Sequence, residues 1–151
     1  MKKINLRLLR QITNALLVEL KIENAELGIN LIGTAEMTSL NEKFLRHTGS
    51  TDVITFDYLK PEAGSRKPEL QLHGEFFVCV DDAVSQAKQF KTKWQSEIVR
   101  YIVHAILHLL GHDDLRVEAR RKMKREEKRL LHKLSKNFSL AQIERRSKIS
   151  A

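Results

Sequence analysis

The segment His104-Ala105-Ile106-Leu107-His108-Leu109-Leu110-Gly111-His112-Asp113-Asp114 decides how this chain is read. From about Ser96 to Leu110 the residues are apolar enough for a buried helix, and Gly111 stops it. On that helix His104 and His108 stand four residues apart, so both side chains leave the same face and can reach one metal ion. An unbroken helix would carry His112 about 12 Å along the axis from His104, at ~1.5 Å per residue, too far for one ion to satisfy both ends. Gly111 removes the difficulty, because glycine readily takes the left-handed conformation that ends a helix and swings the chain back. A donor two or three residues further on is then well placed. Asp114 is the first candidate, with His112 and Asp113 behind it.

Working outward, Glu75 to Val80 reads as a strong strand, and Asp81 or Asp82 can cap a helix running to about Phe90. Further back, Thr51 to Phe56 is β-branched and aromatic, a second strand, and Glu26 to Ile32 alternates as a third. Thr34 can cap a helix to about Phe44. Helical spacing of Leu8, Leu9, Ile12, Leu16, Leu17 and Leu20 predicts an amphipathic helix over 7–20, preceded by a short strand through Ile4 and Leu6. Residues 59–73 contain both prolines, Pro61 and Pro68, and form the one long loop. A charged helix follows the histidine segment from about Val117 to Leu134, with sparse apolar positions at Ala119, Met123, Leu130, Leu131 and Leu134. Strands and helices mix without strict alternation. The expectation is one α+β domain over residues 1–136, a mixed four-stranded sheet flanked by helices with a metal site at the end of one helix. Residues 137–151 are expected as a basic C-terminal extension that can be flexible.

The net charge of +8 is unevenly placed. Leu115 to Ala151 carries 13 Lys and Arg against 4 Asp and Glu, a net of +9, and the first 114 residues come to −1. A local positive field of this kind suits a polyanion such as RNA or an acidic membrane surface, or serves solubility alone. Arg120, Arg121, Lys124 and Lys128 recur at three- and four-residue spacing, while Glu126 and Glu127 interrupt the basic face. No aromatic RNA-binding platform is evident, so the helix predicts phosphate contact without sequence readout. Cys79 is the single cysteine, which excludes an intramolecular disulfide and a thiolate zinc cage. Arg7 and Arg10 interrupt what would be the apolar stretch of a signal peptide, and no segment approaches the ~20 apolar residues of a membrane span. A cytoplasmic location, with no membrane partner, is therefore expected.

The histidine segment resembles the H-G-x-L-H-L-x-G-Y-D-H signature of the YbeY family of rRNA-maturation endoribonucleases. His104, Leu107, His108, Leu109, Gly111 and Asp113 match in register. Asn41 with Thr51-Asp52-Val53-Ile54-Thr55-Phe56 is similar to the family's N…T-[DN]-V-[LI]-[ST]-F block, and Gly74-Glu75-Phe76 to its G-D-[IL] strand, with Glu75 in place of Asp. The resemblance implies a mixed sheet flanked by helices, one zinc-type divalent ion held by three histidines, and cleavage of single-stranded RNA in rRNA maturation and ribosome quality control. Ribosomal RNA and the ribosome or its assembly proteins are the implied partners. Three positions of the signature depart from it: Asp114 stands at the third histidine, His112 at the tyrosine and Ala105 at the first glycine. The arginine that the family places four residues after Asn41 is Leu45 here, with Arg46 adjacent, displaced by about 100° of helix rotation. Arg46 is carried over on that resemblance as the candidate for stabilising charge on a phosphate.

Three donors would leave one zinc position for water, whose pKa the ion can bring from ~15.7 to near 7. The sequence-based expectation is a metal-dependent endoribonuclease holding Zn²⁺ through His104, His108 and Asp114. Arg120, Arg121, Lys124 and Lys128 would retain the RNA. A zincin-type protease needs a glutamate directly after the first histidine, where Ala105 cannot take a proton. The remaining alternative is a non-catalytic RNA- or ribosome-binding assembly factor with a structural metal.

Overall fold

A computed structural model describes residues 2–45, 51–59 and 69–145, the side chain of Leu45 excepted. At its centre is strand β3, Leu72–Cys79, in which Leu72, Gly74, Phe76 and Val78 are buried while His73, Glu75 and Phe77 are half-buried. Both edges of β3 are paired. On one side β1, Ala25–Ile32, runs parallel to it from Ala25 opposite Leu72 to Ile32 opposite Cys79. On the other, β2, Val53–Asp57, runs antiparallel from Val53 opposite Val78 to Asp57 opposite Gly74. The order β1-β3-β2 makes a mixed sheet, as expected, but of three strands among the described residues and not four.

The expected fourth strand, through Ile4 and Leu6, is lost to a helix cap. Asn5 precedes helix α1, Leu6–Glu19, and its side-chain oxygen accepts the Leu8 N–H at 3.1 Å. Leu6 is therefore already helical. Only Ile4 keeps an extended pairing, a single antiparallel bridge to Glu144, flanked by Asn5 N–H donating to the Ile143 carbonyl at 2.7 Å. Past the last long helix, Leu140 and Ile143 in a short 3₁₀ turn join the main core, with Phe138 packed against it. Residues 146–151 lie outside the described residues.

The four other helices follow the predicted positions with shifted ends. Helix α2, Thr34–Leu40, continues into one π-helical turn, Asn41–Leu45. Thr34 is its first residue and not its cap, because its N–H and hydroxyl both donate to Asp81 Oδ2, at 2.8 and 3.1 Å. Asp81 is thereby drawn from the cap expected of it at α3, Val80–Phe90. Helix α4, Trp94–Leu109, packs against β2, β3, α3 and α5. Ile98, Val99, Tyr101, Ile102, Val103, Ala105, Ile106 and Leu107 are all at most 1% exposed, so it is apolar nearly all round. Helix α5, Val117–Asn137, buries only Met123, Glu127, Leu130 and Leu134 and leaves its basic residues outside.

Gly74 explains how closely α4 meets the sheet. A Cβ there would stand 2.6 Å from the Phe56 carbonyl oxygen and 3.1 Å from Leu109 at the end of α4. Only glycine admits the Phe56 backbone at that distance beside the end of α4.

Candidate metal centre

On α4 the two histidines break an otherwise apolar surface. His104 is half-buried and His108 exposed, with ring planes 4° from parallel and centroids 6.5 Å apart. They share one side of the helix, as i, i+4 spacing requires.

The helix ends as the glycine predicts. Gly111 has φ +100°, its N–H donates to the His108 carbonyl at 3.1 Å, and the His112 N–H donates to the Leu107 carbonyl at 3.1 Å. This pair of bonds is a Schellman turn, which closes carbonyls the helix would otherwise leave open. Among the described residues no atom beyond the chain neighbours lies within 4 Å of a Cβ built on Gly111, so the backbone angle is what calls for glycine there.

Beyond the turn, the three candidate donors have different fates. Asp113 Oδ1 accepts the Leu115 N–H at 3.1 Å, which commits that oxygen to the local turn. Asp114 is exposed; its carbonyl accepts Arg120 Nε at 3.3 Å, and its carboxylate makes no hydrogen bond or ion pair among the described residues. His112 is half-buried beside Gly111 and Lys122. Among the described residues, no three His, Cys, Asp or Glu side chains form a cluster able to hold an ion. His104 and His108 fit a divalent metal by donor chemistry and by placement, and they form a pair and not a closed cage.

Behind His104 stands a residue the sequence reading passed over. Glu127 of α5 is buried, and its Oε1 lies 2.6 Å from His104 Nδ1. That hydrogen bond raises the His104 pKa above its usual value against the opposing effect of burial, and the charges of Glu127, Asp52 and Asp114 act in the same direction. Asp52 and Asp114 are thus near enough for their charge to be felt at the histidine. In the sequence Glu127 reads only as an interruption of the basic face. The signal for it is its place in the inward series Met123, Glu127, Leu130, Leu134, where a helix normally buries only apolar groups.

The basic residues of α5 fall into two sets. Arg129 bonds Glu126 at 3.0 Å and Glu19 of α1 at 3.3 Å, and Lys133 bonds Glu19 at 2.7 Å, so these hold α5 to the fold. Arg121, Lys124 and Lys128 are exposed and have no carboxylate partner among the described residues. Arg120 stands between the sets, tied to the Asp114 carbonyl. Arg46 lies outside the described residues.

The sequence profile described as endoribonuclease YbeY matches residues 2–135. An endoribonuclease YbeY of Chlorobium phaeovibrioides is 36% identical over 107 residues, covering 71% of this chain and 67% of that protein. One from Myxococcus xanthus is 33% identical over 125 residues, covering 83% of this chain and 42% of the longer relative. The solution structure of a Thermotoga maritima protein shares the fold, with a TM-score of 0.65 at 21% identity, over 96% of this chain and 93% of that one. With a profile match over residues 2–135 and relatives at this identity over most of the chain, the chain belongs to the endoribonuclease YbeY family.

Proposed function

We propose that this protein is a metal-dependent endoribonuclease that cuts single-stranded RNA in rRNA maturation and ribosome quality control, in the cytoplasm. The observation that carries the reading is the His104–His108 pair at the end of α4, followed by a Schellman turn at Gly111. His104, His108 and Asp114 would hold one divalent ion, Zn²⁺ by the nitrogen and oxygen donors on offer. Asp114 is favoured over Asp113 because its carboxylate is uncommitted. When bound, such an ion supplies a water acidified enough to attack a phosphodiester at neutral pH.

The chain's own residues then have separate tasks. Arg121, Lys124 and Lys128 grip phosphates along α5, and Arg120 ties that helix to the loop bearing Asp114. The helix begins only three residues after Asp114, so the grip lies beside the centre. RNA is the polyanion that an endoribonuclease requires at this surface. The family's name supports RNA as the substrate; ribosomal RNA, with the ribosome or its assembly proteins, is the partner proposed from the sequence resemblance.

A second reading is favoured by two residues of this chain. Leu45 stands where relatives are expected to have an arginine, and Asp114 where they have a third histidine. Those changes fit an assembly factor that binds RNA around a structural metal without cutting it. One experiment separates the two: metal content and cleavage of a single-stranded rRNA fragment, for the parent and His108→Ala. Metal-dependent cleavage lost in the variant supports the enzyme. Stoichiometric metal without cleavage supports the binding protein, and full metal occupancy in the variant contradicts the site.

A further inference from the structure

The inward stripe of α5 contains a residue that its packing does not call for. Met123, Leu130 and Leu134 are at most 4% exposed and join the main core, whereas Glu127, between them, is a carboxylate only 8% exposed. Burying a carboxylate costs several kcal/mol unless it is partnered, and an apolar side chain would complete the stripe without that penalty. Its only hydrogen-bond partner among the described residues is His104 Nδ1. Arg100, one turn earlier on α4, feels the charge of Glu127, but its guanidinium is committed to Glu97 and to Gln86, the latter at 3.2 Å.

We propose that Glu127 is the positioning residue of the metal centre, holding His104 by Nδ1 so that Nε2 is the nitrogen presented to the ion; this rests on the metal reading above. A neutral imidazole has one N–H and one lone pair, and which nitrogen carries which is set by the bond the other makes. A carboxylate fixed 2.6 Å from Nδ1 keeps the proton there and leaves the lone pair on Nε2. It also fixes the ring's rotation and raises its strength as a donor. The arrangement joins α5, the helix with the proposed RNA-gripping face, directly to the first proposed ligand on α4.

The test measures Zn²⁺ affinity by competition with a chelating indicator for the parent, Glu127→Gln, Glu127→Met and, as a control, Glu126→Gln. In parallel, ¹⁵N shifts of the His104 ring are recorded in metal-free protein at a pH where the ring is neutral. Both Glu127 variants should lose roughly 10–100-fold in Zn²⁺ affinity. Glu127→Met should unfold at the parent's urea concentration or above, since it completes the apolar stripe, which separates ligand positioning from a structural role. The His104 proton should sit on Nδ1 in the parent and be shared between both nitrogens in the Met variant. Glu126→Gln should keep the parent's affinity. Parent affinity within twofold in both Glu127 variants, with an unchanged tautomer, would overturn the inference while leaving the metal reading intact. A parent that binds no Zn²⁺ would overturn the metal reading and the inference with it.

Discussion

Replacing Gly111 with alanine isolates the role of the turn after α4. Its φ of +100° is a region that side-chain-bearing residues seldom occupy, while among the described residues nothing stands within 4 Å of where a Cβ would sit. The substitution therefore adds no clash, and its whole effect is backbone strain. Left-handed backbone costs an L-residue roughly 1–2 kcal/mol, and for a chain of this length that lowers Tm by about 2–8 °C. Valine should cost more than alanine although both enter open space, because a β-branched side chain tolerates positive φ worst. Either variant can relieve the strain by opening the Gly111–His108 and His112–Leu107 bonds, which moves residues 112–114 away from the histidine pair. The assay is thermal unfolding of metal-free protein, followed by Zn²⁺ titration of the same samples. Lower Tm in the order parent, alanine, valine, with weaker Zn²⁺ binding in both variants, is the expected result. Parent-like Tm and affinity in both would refute the claim that this glycine is conformationally required and that it places the third donor.

Further substitutions test other parts of the account. Gly74→Ala should destabilise by about 1–3 kcal/mol, read as a lower urea midpoint, because its Cβ would stand 2.6 Å from the backbone oxygen of Phe56, which cannot swing aside. Glu19 has its pKa lowered by the Lys133 hydrogen bond first and then by Arg129, so its contribution to stability is present above the ordinary carboxylate range and lost as pH falls through the folded value. Glu19→Gln should therefore flatten the acid side of the urea-midpoint profile, by a small amount because the pair is exposed, and leave neutral-to-alkaline slopes alone. Changing Arg121, Lys124 and Lys128 together to glutamine should reduce the salt dependence of single-stranded RNA binding by a slope of about 2, at roughly 0.7 per phosphate contact. An unchanged slope would remove α5 from the RNA-binding surface.

Local signals carried most of the fold into the sequence. The apolar run of α4, the glycine that ends it, the alternation in β1 and the apolar run of β3 depend on near neighbours, and each element lies within a few residues of its predicted place. Ends were less legible where a tertiary partner sets them. Thr34 and Asp81 both look like caps for their own helices, yet they bond to each other across 47 residues. The strand expected through Ile4 and Leu6 fails because Asn5 starts α1 immediately afterwards, a choice made by one side-chain hydrogen bond.

The site was legible in the same unequal way. His104 and His108 can be paired from spacing alone, and the turn at Gly111 follows from glycine's freedom at positive φ. Glu127 could not be found that way, since its partner is 23 residues distant and its own neighbourhood reads as a charged surface helix. Its meaning appears only when burial shows that one carboxylate of the Glu126-Glu127 pair faces inward. Asp114 follows from helix geometry as an expectation only, since no three-donor cluster forms among the described residues.

The most direct measurement is the position of the ion itself, from anomalous scattering at the zinc edge of crystals grown with Zn²⁺. The account predicts one strong peak bound by His104 Nε2, His108 Nε2 and an Asp114 carboxylate oxygen, each about 2.0–2.2 Å away. A peak held through His104 Nδ1, or by His112 in place of Asp114, or lying away from α4, would contradict it.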